Sequence, residues 1–512
     1  MTATLHHATD SRQRRLLTIG LALVVTLVAF EALAVATVLP AAQKELGDFA
    51  LYGWAFSAFL LTSLIGITVA GDECDQHGPA RPFVAGVTLF AIGLVIGGLA
   101  PTMLVLVAGR AVQGFGAGAI PAVAYAAIGR GYDDSERPRV FALLSSAWVV
   151  PSLVGPVVAG ALAQYASWRW ALLGLLPLLV IASALALPSL RRLGAPAAAK
   201  ATPDRRRLVQ SIQLTAGAAM ALGGTTSKSL WLGGALVAVG AAIMLPAWSR
   251  LMPAGTLRAA RGLPAAILCM GLSNLAFFGT DAFIPLMLAH VRGQSTIVSG
   301  MALTAAALSW TTGAWVLERL QTRWSRAAIA GVGFAVTAVG IAGIALVVAE
   351  PLPAPAVAAS VAWAIAGFGM GLTYSTLSLI VLAEAPEGQQ GTASASLKLN
   401  EVLCAAIGTG GGGALITLGA ARGREGDAMT LLFVTLSVIA IGCAALAPRL
   451  SRSVFRYSLR VASLGLFAPG GVARRSLAYG QAPFSRLARS ENPLRGARSG
   501  IPKQTPSGGD ET

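Results

Sequence analysis

Charged residues are scarce in this 512-residue chain: they make up 12% of it, against 55% for hydrophobic residues. A water-soluble protein carries roughly twice that charged fraction. The mean hydropathy is +0.70, and the 59 glycines suit closely packed membrane helices. The composition therefore excludes an ordinary soluble domain and predicts an all-α polytopic membrane protein.

Cysteine and histidine are equally rare, with four of each. The cysteines are far apart and three of the histidines lie outside apolar runs, so neither a disulfide framework nor a metal site is expected. The sequence also lacks a Gly-x-x-x-x-Gly-Lys-Ser/Thr phosphate loop and a soluble domain that could hold a nucleotide. We expect no cofactor and no enzymatic activity, and ATP-driven transport by this chain alone is excluded.

Positive charge is abundant, with a net charge of +16, but the arginines lie in loops and tails. This placement indicates membrane topology rather than nucleic-acid binding.

Apolar runs of spanning length recur along the chain. They cover 16–39, 50–70, 83–100, 102–128, 140–162, 170–187, 208–224, 230–248, 263–289, 297–317, 327–349, 356–383, 396–420 and 428–447.

These runs predict fourteen transmembrane helices, arranged as two six-helix bundles with two extra central helices. With a cytoplasmic N-terminus, Lys and Arg in the inner segments outnumber those in the outer loops by about three to one, so both termini are predicted to be cytoplasmic. The predicted parts are a cytoplasmic tail 1–15, a bundle 16–187, a basic linker with two additional helices and a following loop 188–262, a bundle 263–447, and a basic tail 448–512 expected to be disordered.

The start of the first run resembles a cleavable signal peptide, because Arg12, Arg14 and Arg15 precede it and Ala34-Val-Ala36 lies near its end. The run is longer than a signal peptide needs, carries Glu31, and ends at Pro40 rather than opening a secreted domain. We therefore expect a membrane helix here.

Two charged residues lie deep inside apolar runs of the first half. Glu31 is roughly 22 Å along a helix that starts at Leu16, beyond the middle of a ~30 Å hydrocarbon layer. Arg110 lies ~12 Å below the outer end of its own run, so the two residues can share a level. Charges at such depth are costly and mark an ion or substrate path. We expect Arg110 to pair with or modulate Glu31; the alternative is a structural arginine bound to backbone carbonyls.

The second half repeats part of this arrangement of charged residues and glycines. Its first run also carries one acid, Asp281, roughly 25 Å along from Pro264. The run 356–383 contains a glycine pattern like that around Gly114, without its arginine. Such repetition is typical of transporters built from related halves. Glu401 lies near a predicted cytoplasmic end, so snorkelling to the membrane surface or a loop contact is expected there rather than a transport role.

Three ordered motifs in the first half resemble signatures of the major facilitator superfamily. Gly71, Asp75 and Gly78 match its loop motif Gly-x-x-x-Asp-(Arg)-x-Gly-(Arg)-(Arg), although Gln76, Pro79 and Ala80 replace the basic positions. The string Arg110-Ala-Val-Gln113-Gly114 matches the second signature, in which the arginine is implicated in proton handling. Glu31 occupies the acidic position of the first-span pattern.

The third motif is Gly155-Pro156-Val-Val-Ala159-Gly160, which resembles the antiporter motif Gly-x-x-x-Gly-Pro-x-x-Gly-Gly with Pro151 and Ala159 in place of two glycines. That motif is associated with exporters. The resemblance, over about 16–447, implies the fourteen-span drug:proton antiporter branch.

What the resemblance implies is a plasma-membrane exporter of hydrophobic or amphipathic compounds, cationic ones included, coupled to proton entry. Its partners would be a small-molecule substrate, protons and membrane lipid, with no nucleic acid. Proton coupling would rest on Glu31, Asp281 and Arg110, and gating on the glycine motifs. The low aromatic content of 7% favours an alternative, export of one metabolite, lipid or siderophore. A non-transporting receptor or scaffold is a third reading, which the buried charges disfavour.

Overall fold

A computed structural model describes residues 2–132, 136, 140, 143–144, 147–194, 205–227, 229–386 and 390–450, and the side chains from residue 14 onward. Within these ranges all regular secondary structure is helical. The predicted basic tail is outside the described residues from residue 451 onward.

The first half contains six helices in the order predicted from the apolar runs. They are α1 (Thr2–Leu46), α2 (Tyr52–His77), α3 (Ala80–Gly98), α4 (Met103–Gly131), α5 (Val149–Tyr165) and α6 (Trp170–Arg192), the last interrupted by a turn at Gly174. Two central helices follow, α7 (Arg205–Thr225) and α8 (Leu230–Leu251).

The second half contributes another six helices. They are α9 (Leu263–Val291, which ends in a π-helical turn), α10 (Thr296–Leu320), α11 (Arg326–Ala349), α12 (Pro355–Glu384), α13 (Gln390–Ala420) and α14 (Glu425–Leu446). Short 3₁₀ turns precede α2 and α9 and follow α14.

Twelve of these fourteen helices are long and apolar enough to cross a membrane, among the residues described. The other two are α5, whose described part is 17 residues long, and α7, which begins with three arginines. The structure therefore confirms a multi-helix membrane fold, whereas the count of fourteen spans stays a prediction.

The two halves pack their helices in the same way. In the first half α4 lies against both α2 and α3, and α1 lies against α5 and α6; in the second, α12 lies against α10 and α11, and α9 against α13 and α14. Glycines make the closest of these contacts possible. A Cβ on Gly114 would overlap the backbone oxygen of Phe59 in α2, and one on Gly367 would overlap the backbone oxygen of Ala306 in α10.

Two seams join the halves. At one, α2 meets α13: a Cβ on Gly53 would lie 2.9 Å from the Cα of Gly413, and Ser57 donates to the carbonyl of Ala406 at 3.0 Å. At the other, α5 meets α10. Near the start of α2 the Tyr52 hydroxyl donates to the carbonyl oxygen of Ala282 in α9. At this end of the bundle the two halves are thus in direct contact.

The central helices α7 and α8 form a hairpin along the α2–α13 seam. Thr215 of α7 donates to the carbonyl of Leu61 in α2 at 3.1 Å, and α7 also contacts α13. From α8 the Trp248 indole donates to Asn400 Oδ1 in α13 at 2.9 Å. Both sides of the seam are therefore attached to the hairpin by buried polar contacts.

Several helix boundaries differ from those read in the sequence, including the start of α1 and the end of α2. Helix α1 begins at Thr2, before the apolar run, and α2 continues to His77. The loop motif is therefore mostly helical, and its turn is confined to Gly78, whose φ of 84° suits a residue without a Cβ, and Pro79. The helix continues here because its backbone N–H and C=O groups bond to one another, also where the polar end of α2 leaves the apolar layer.

Replacing Gly114 by alanine should lower stability by about 1–3 kcal/mol, because the added methyl group forces α2 and α4 apart. The thermal unfolding midpoint of the detergent-solubilised protein measures this. Gly442→Ala is the matched control, since nothing lies within 4 Å of a Cβ there. Equal midpoints for the two variants would contradict the packing described.

Candidate functional site

The first candidate site is an ion pair buried between α1 and α4. Glu31 is 0% exposed and Arg110 is 3% exposed, and the Arg110 guanidinium donates to Glu31 Oε1. Both residues belong to helices that are otherwise strongly apolar. Charged residues in such helices face the protein interior, and the pair does so here. The contact between them expected from the sequence is present.

Arg110 has further partners, all within the first half. Its Nε donates to the carbonyl oxygen of Ala55 at 3.0 Å, and Nη1 donates to Gln113 Oε1 at 2.7 Å. The guanidinium also lies over the Phe59 ring, 4.2 Å from its centroid. The close approach of α2 at Gly114 brings Ala55 and Phe59 within reach. The expected ion pair and the alternative carbonyl contact therefore both occur, on different nitrogens of one side chain.

The site keeps unused hydrogen-bonding capacity. Within the described residues, Glu31 Oε2 and Gln113 Nε2 are buried and have no hydrogen-bond partner. A buried carboxylate oxygen without a partner is costly, and it is an available position for a proton. In the part of the chain that the structure describes, no three His, Cys, Asp or Glu side chains are placed to hold a metal ion.

The second acid, Asp281, lies near the end of the α-helical part of α9 in a different setting. It is only partly buried, and its Oδ1 accepts a hydrogen bond from the Trp363 indole of α12 at 2.9 Å. None of the ion pairs among the described residues involves Asp281. Its carboxylate thus has a hydrogen-bond donor but no counter-ion.

Trp363 is the functional residue that sequence reasoning missed, and an internal repeat reveals it. The string Arg110-Ala-Val-Gln-Gly-Phe-Gly-Ala-Gly in α4 aligns with Trp363-Ala-Ile-Ala-Gly-Phe-Gly-Met-Gly in α12. In this alignment Trp363 takes the place of Arg110, and Ala366 the place of Gln113. Trp363 contacts Asp281 as Arg110 contacts Glu31, so each acid is bound by the corresponding residue of the repeat.

The residues of the antiporter-like motif lie beside the first site and at a seam between the halves. Gly155 faces the side chains of Phe30 and Leu33, which flank Glu31 in α1. A Cβ on Gly160 would lie 3.0 Å from the Cα of Ile297 in α10, and the carbonyl of Pro156 lies against Gly300 of the same helix. One face of α5 therefore touches the neighbourhood of Glu31 and another touches the opposite half.

Gly71, Asp75 and Gly78 lie at the far end of α2. Asp75 is twenty residues beyond Ala55 along one helix, about 30 Å from the arginine site. At this end Arg130 of α4 donates to the carbonyl oxygen of Cys74 at 2.6 Å. The structure does not bring this motif together with Glu31 or Asp281.

Glu401 makes more than a loop contact. Lys398 donates to its Oε1 at 2.8 Å, and the Tyr374 hydroxyl of α12 donates to its Oε2 at 3.2 Å. This acid is therefore paired within α13 and joined to the helix that carries Trp363.

The sequence of residues 21–409 matches the family model described as "Major Facilitator Superfamily". The chain belongs to the major facilitator superfamily. Members of this superfamily are membrane proteins built from many helices, and the described residues of this chain form such a multi-helix membrane fold.

Several transporters of this superfamily are similar in sequence. An "Uncharacterized MFS-type transporter" of Mycobacterium tuberculosis (strain ATCC 25618 / H37Rv) is 30% identical over 305 residues, which are 57% of this chain and 44% of that protein. A "Probable multidrug-efflux transporter" of the same strain is 27% identical over 288 residues, 54% of this chain and 60% of that protein. The chain thus spans about half the length of these relatives.

A third relative is the "Multidrug efflux pump SdrM" of Staphylococcus aureus (strain N315), 23% identical over 314 residues, 61% of this chain and 70% of that protein. Among solved structures, a POT family transporter in complex with 5-aminolevulinic acid superimposes with a TM-score of 0.64 at 14% identity, covering 85% of this chain and 96% of that one. At this identity the likeness establishes the fold alone.

Replacing Arg110 by methionine should destabilise the protein by about 3–5 kcal/mol, because Glu31 is left as an unpaired buried charge. The double variant Glu31→Gln/Arg110→Met removes both charges and should be less destabilised than Arg110→Met alone. Thermal unfolding of the purified variants measures both.

The matched control is Arg169→Met, which breaks the more exposed pair with Glu45 and should cost about 1 kcal/mol or less. If Arg110→Met and the double variant unfold at the same temperature, the buried pair does not contribute as described.

Proposed function

We propose that this transporter exports hydrophobic or amphipathic compounds in exchange for protons, by alternating access of its two halves. The observation that carries the proposal is the buried Glu31–Arg110 pair with its unpartnered carboxylate oxygen. A structural ion pair in an apolar bundle offers little stability over apolar packing. A proton-binding couple, in contrast, has a reason to be there.

The pair would link protonation to conformation through its charge balance. With Glu31 ionised, the two charges cancel inside the bundle. When a proton neutralises Glu31, Arg110 keeps its positive charge and retains only its contacts to Ala55, Gln113 and Phe59. An uncompensated buried cation costs several kcal/mol. The half that contains it would then favour a packing in which Arg110 reaches water or another acceptor.

The antiporter-like helix α5 is placed to transmit such a change. Gly155 lies against the residues on either side of Glu31, while Gly160 and Pro156 lie against α10 of the other half. Rearrangement around Glu31 would therefore shift the α5–α10 seam and help the halves to rock. The efflux relatives support an outward direction of transport.

The finer classification belongs to the same proposal. The protein would be a fourteen-span drug:proton antiporter of the plasma membrane with both termini in the cytoplasm, and the proton gradient would be its energy source, without a cofactor. Each of the fourteen apolar runs contains one of the helices α1 to α14 over most of its described residues, and the excess of positive charge in the predicted inner loops supports the orientation.

Proton coupling is tested by reconstituting Glu31→Gln into proteoliposomes that contain a pH-sensitive dye. Adding ethidium to wild-type vesicles should move protons, and an imposed pH gradient should drive ethidium transport. Glutamine cannot take up the proton, so both signals should fall at least tenfold in Glu31→Gln.

Glu45→Gln is the control, because Glu45 lies at the polar end of the same helix and pairs with Arg169. It should behave as wild type. If Glu31→Gln keeps substrate-driven proton movement and gradient-driven transport, the coupling proposal is wrong. A screen of cationic, neutral and anionic compounds then measures the substrate range.

A further inference from the structure

The two acids of this protein are bound by corresponding residues of the internal repeat but differ in charge balance. Glu31 has Arg110 as its counter-ion and Gln113 beside it. At the equivalent positions of the second half stand Trp363 and Ala366, so Asp281 keeps one N–H donor and has no cation among its described neighbours. The second site therefore has an uncompensated negative charge, which the first site does not.

Asp281 stands at the end of a row of aromatic rings. The Trp363 ring that bonds Asp281 stacks on Phe277 with centroids 4.6 Å apart. Phe277 meets Trp310 edge-on at 5.3 Å, and Trp310 meets Tyr374 at 5.6 Å. The row crosses from α9 to α10 and α12, and it is contained within the second half.

The row has a buried side and an accessible side. Trp363 and Phe277 are almost fully buried, whereas Trp310, Tyr374 and the adjoining Phe278 are partly exposed. The accessible rings thus present aromatic faces held in place from behind. No equivalent row exists around Glu31 in the described part of the first half, where Ser63 stands at the position that corresponds to Trp310.

The other end of the row is electrically neutral. Tyr374 bonds Glu401, and Lys398 compensates that acid at 2.8 Å. Among the described residues, a ligand lying along the rings therefore meets an unbalanced charge at the Asp281 end and a balanced pair at the other. This polarity favours a molecule with a cationic centre at one end and an apolar or aromatic body along the rest.

We propose that Asp281 and the partly exposed rings Phe278, Trp310 and Tyr374 form the substrate site, and that they bind organic cations with aromatic bodies. Cations lie favourably over tryptophan and tyrosine faces, and the attraction is stronger where water is excluded. The carboxylate supplies the counter-charge that arginine supplies at the other site. This inference rests on the proposed export function for its biological meaning, but binding itself can be measured without transport.

The test uses two probes of nearly the same shape and opposite charge, tetraphenylphosphonium and tetraphenylborate. Equilibrium dialysis against the purified full-length protein in detergent gives the affinity of each. Wild type should bind the phosphonium at least tenfold more tightly than the borate. Asp281→Asn, which keeps the acceptor for Trp363, and Trp310→Ala should each weaken phosphonium binding at least tenfold.

Matched controls lie elsewhere in the same half. Trp315 is on the same helix as Trp310 but is 71% exposed, and Asp427 is an exposed acid paired with Arg424; Trp315→Ala and Asp427→Asn should bind as wild type. Trp310→Phe and Asp281→Glu keep the ring and the charge and should recover most of the affinity. Phosphonium binding that is unchanged in Asp281→Asn and Trp310→Ala, or equal binding of the two probes, overturns the site.

The outcome is separable from that of the coupling experiment. Binding that depends on Asp281 and Trp310, together with intact proton movement in Glu31→Gln, retains the site and rejects the coupling. Loss of coupling in Glu31→Gln, with phosphonium binding indifferent to Asp281 and Trp310, retains the export function and rejects this site.

Discussion

The structure depends on one constraint, the need to hold a carboxylate and a guanidinium inside an apolar helix bundle. Glu31 and Arg110 satisfy it by pairing, and Gly114 lets α2 come close enough to add a backbone carbonyl and an aromatic face to the guanidinium. Each partner would be costly without the other. The packing of three helices and the charge state of one acid are therefore tied together, and the proposed proton coupling rests on this link.

The second half has an acid site with no guanidinium to pair with it among the described residues. The glycines of α12 keep the same helix contacts as those of α4, so the backbone arrangement is preserved. At the site itself an indole has replaced the guanidinium, and aromatic rings fill the surrounding space. The two halves share a scaffold because small residues determine the spacing of their helices. They differ in chemistry because a few larger side chains face the acids.

Much of this could be predicted from the sequence. The apolar runs located the helices, and depth along two of them predicted the contact between Glu31 and Arg110, because helical rise is regular. The relation of Asp281 to Glu31 was also visible. Trp363 was not found, because a tryptophan in an apolar helix carries no sign of function by itself. The aromatic content of 7% likewise gave no hint of the row, since a whole-chain average hides residues that folding collects in one place.

The inserted hairpin makes the molecule asymmetric in a way that the repeated halves alone are not. Helices α7 and α8 attach to α2 and α13 along one seam, while the α5–α10 seam has no comparable inserted hairpin in the described chain. Separating α2 from α13 breaks buried hydrogen bonds or moves the hairpin with one of the two helices. Separating α5 from α10 does neither. The inserted hairpin thus restrains the α2–α13 seam through contacts that the α5–α10 seam does not have among the described residues.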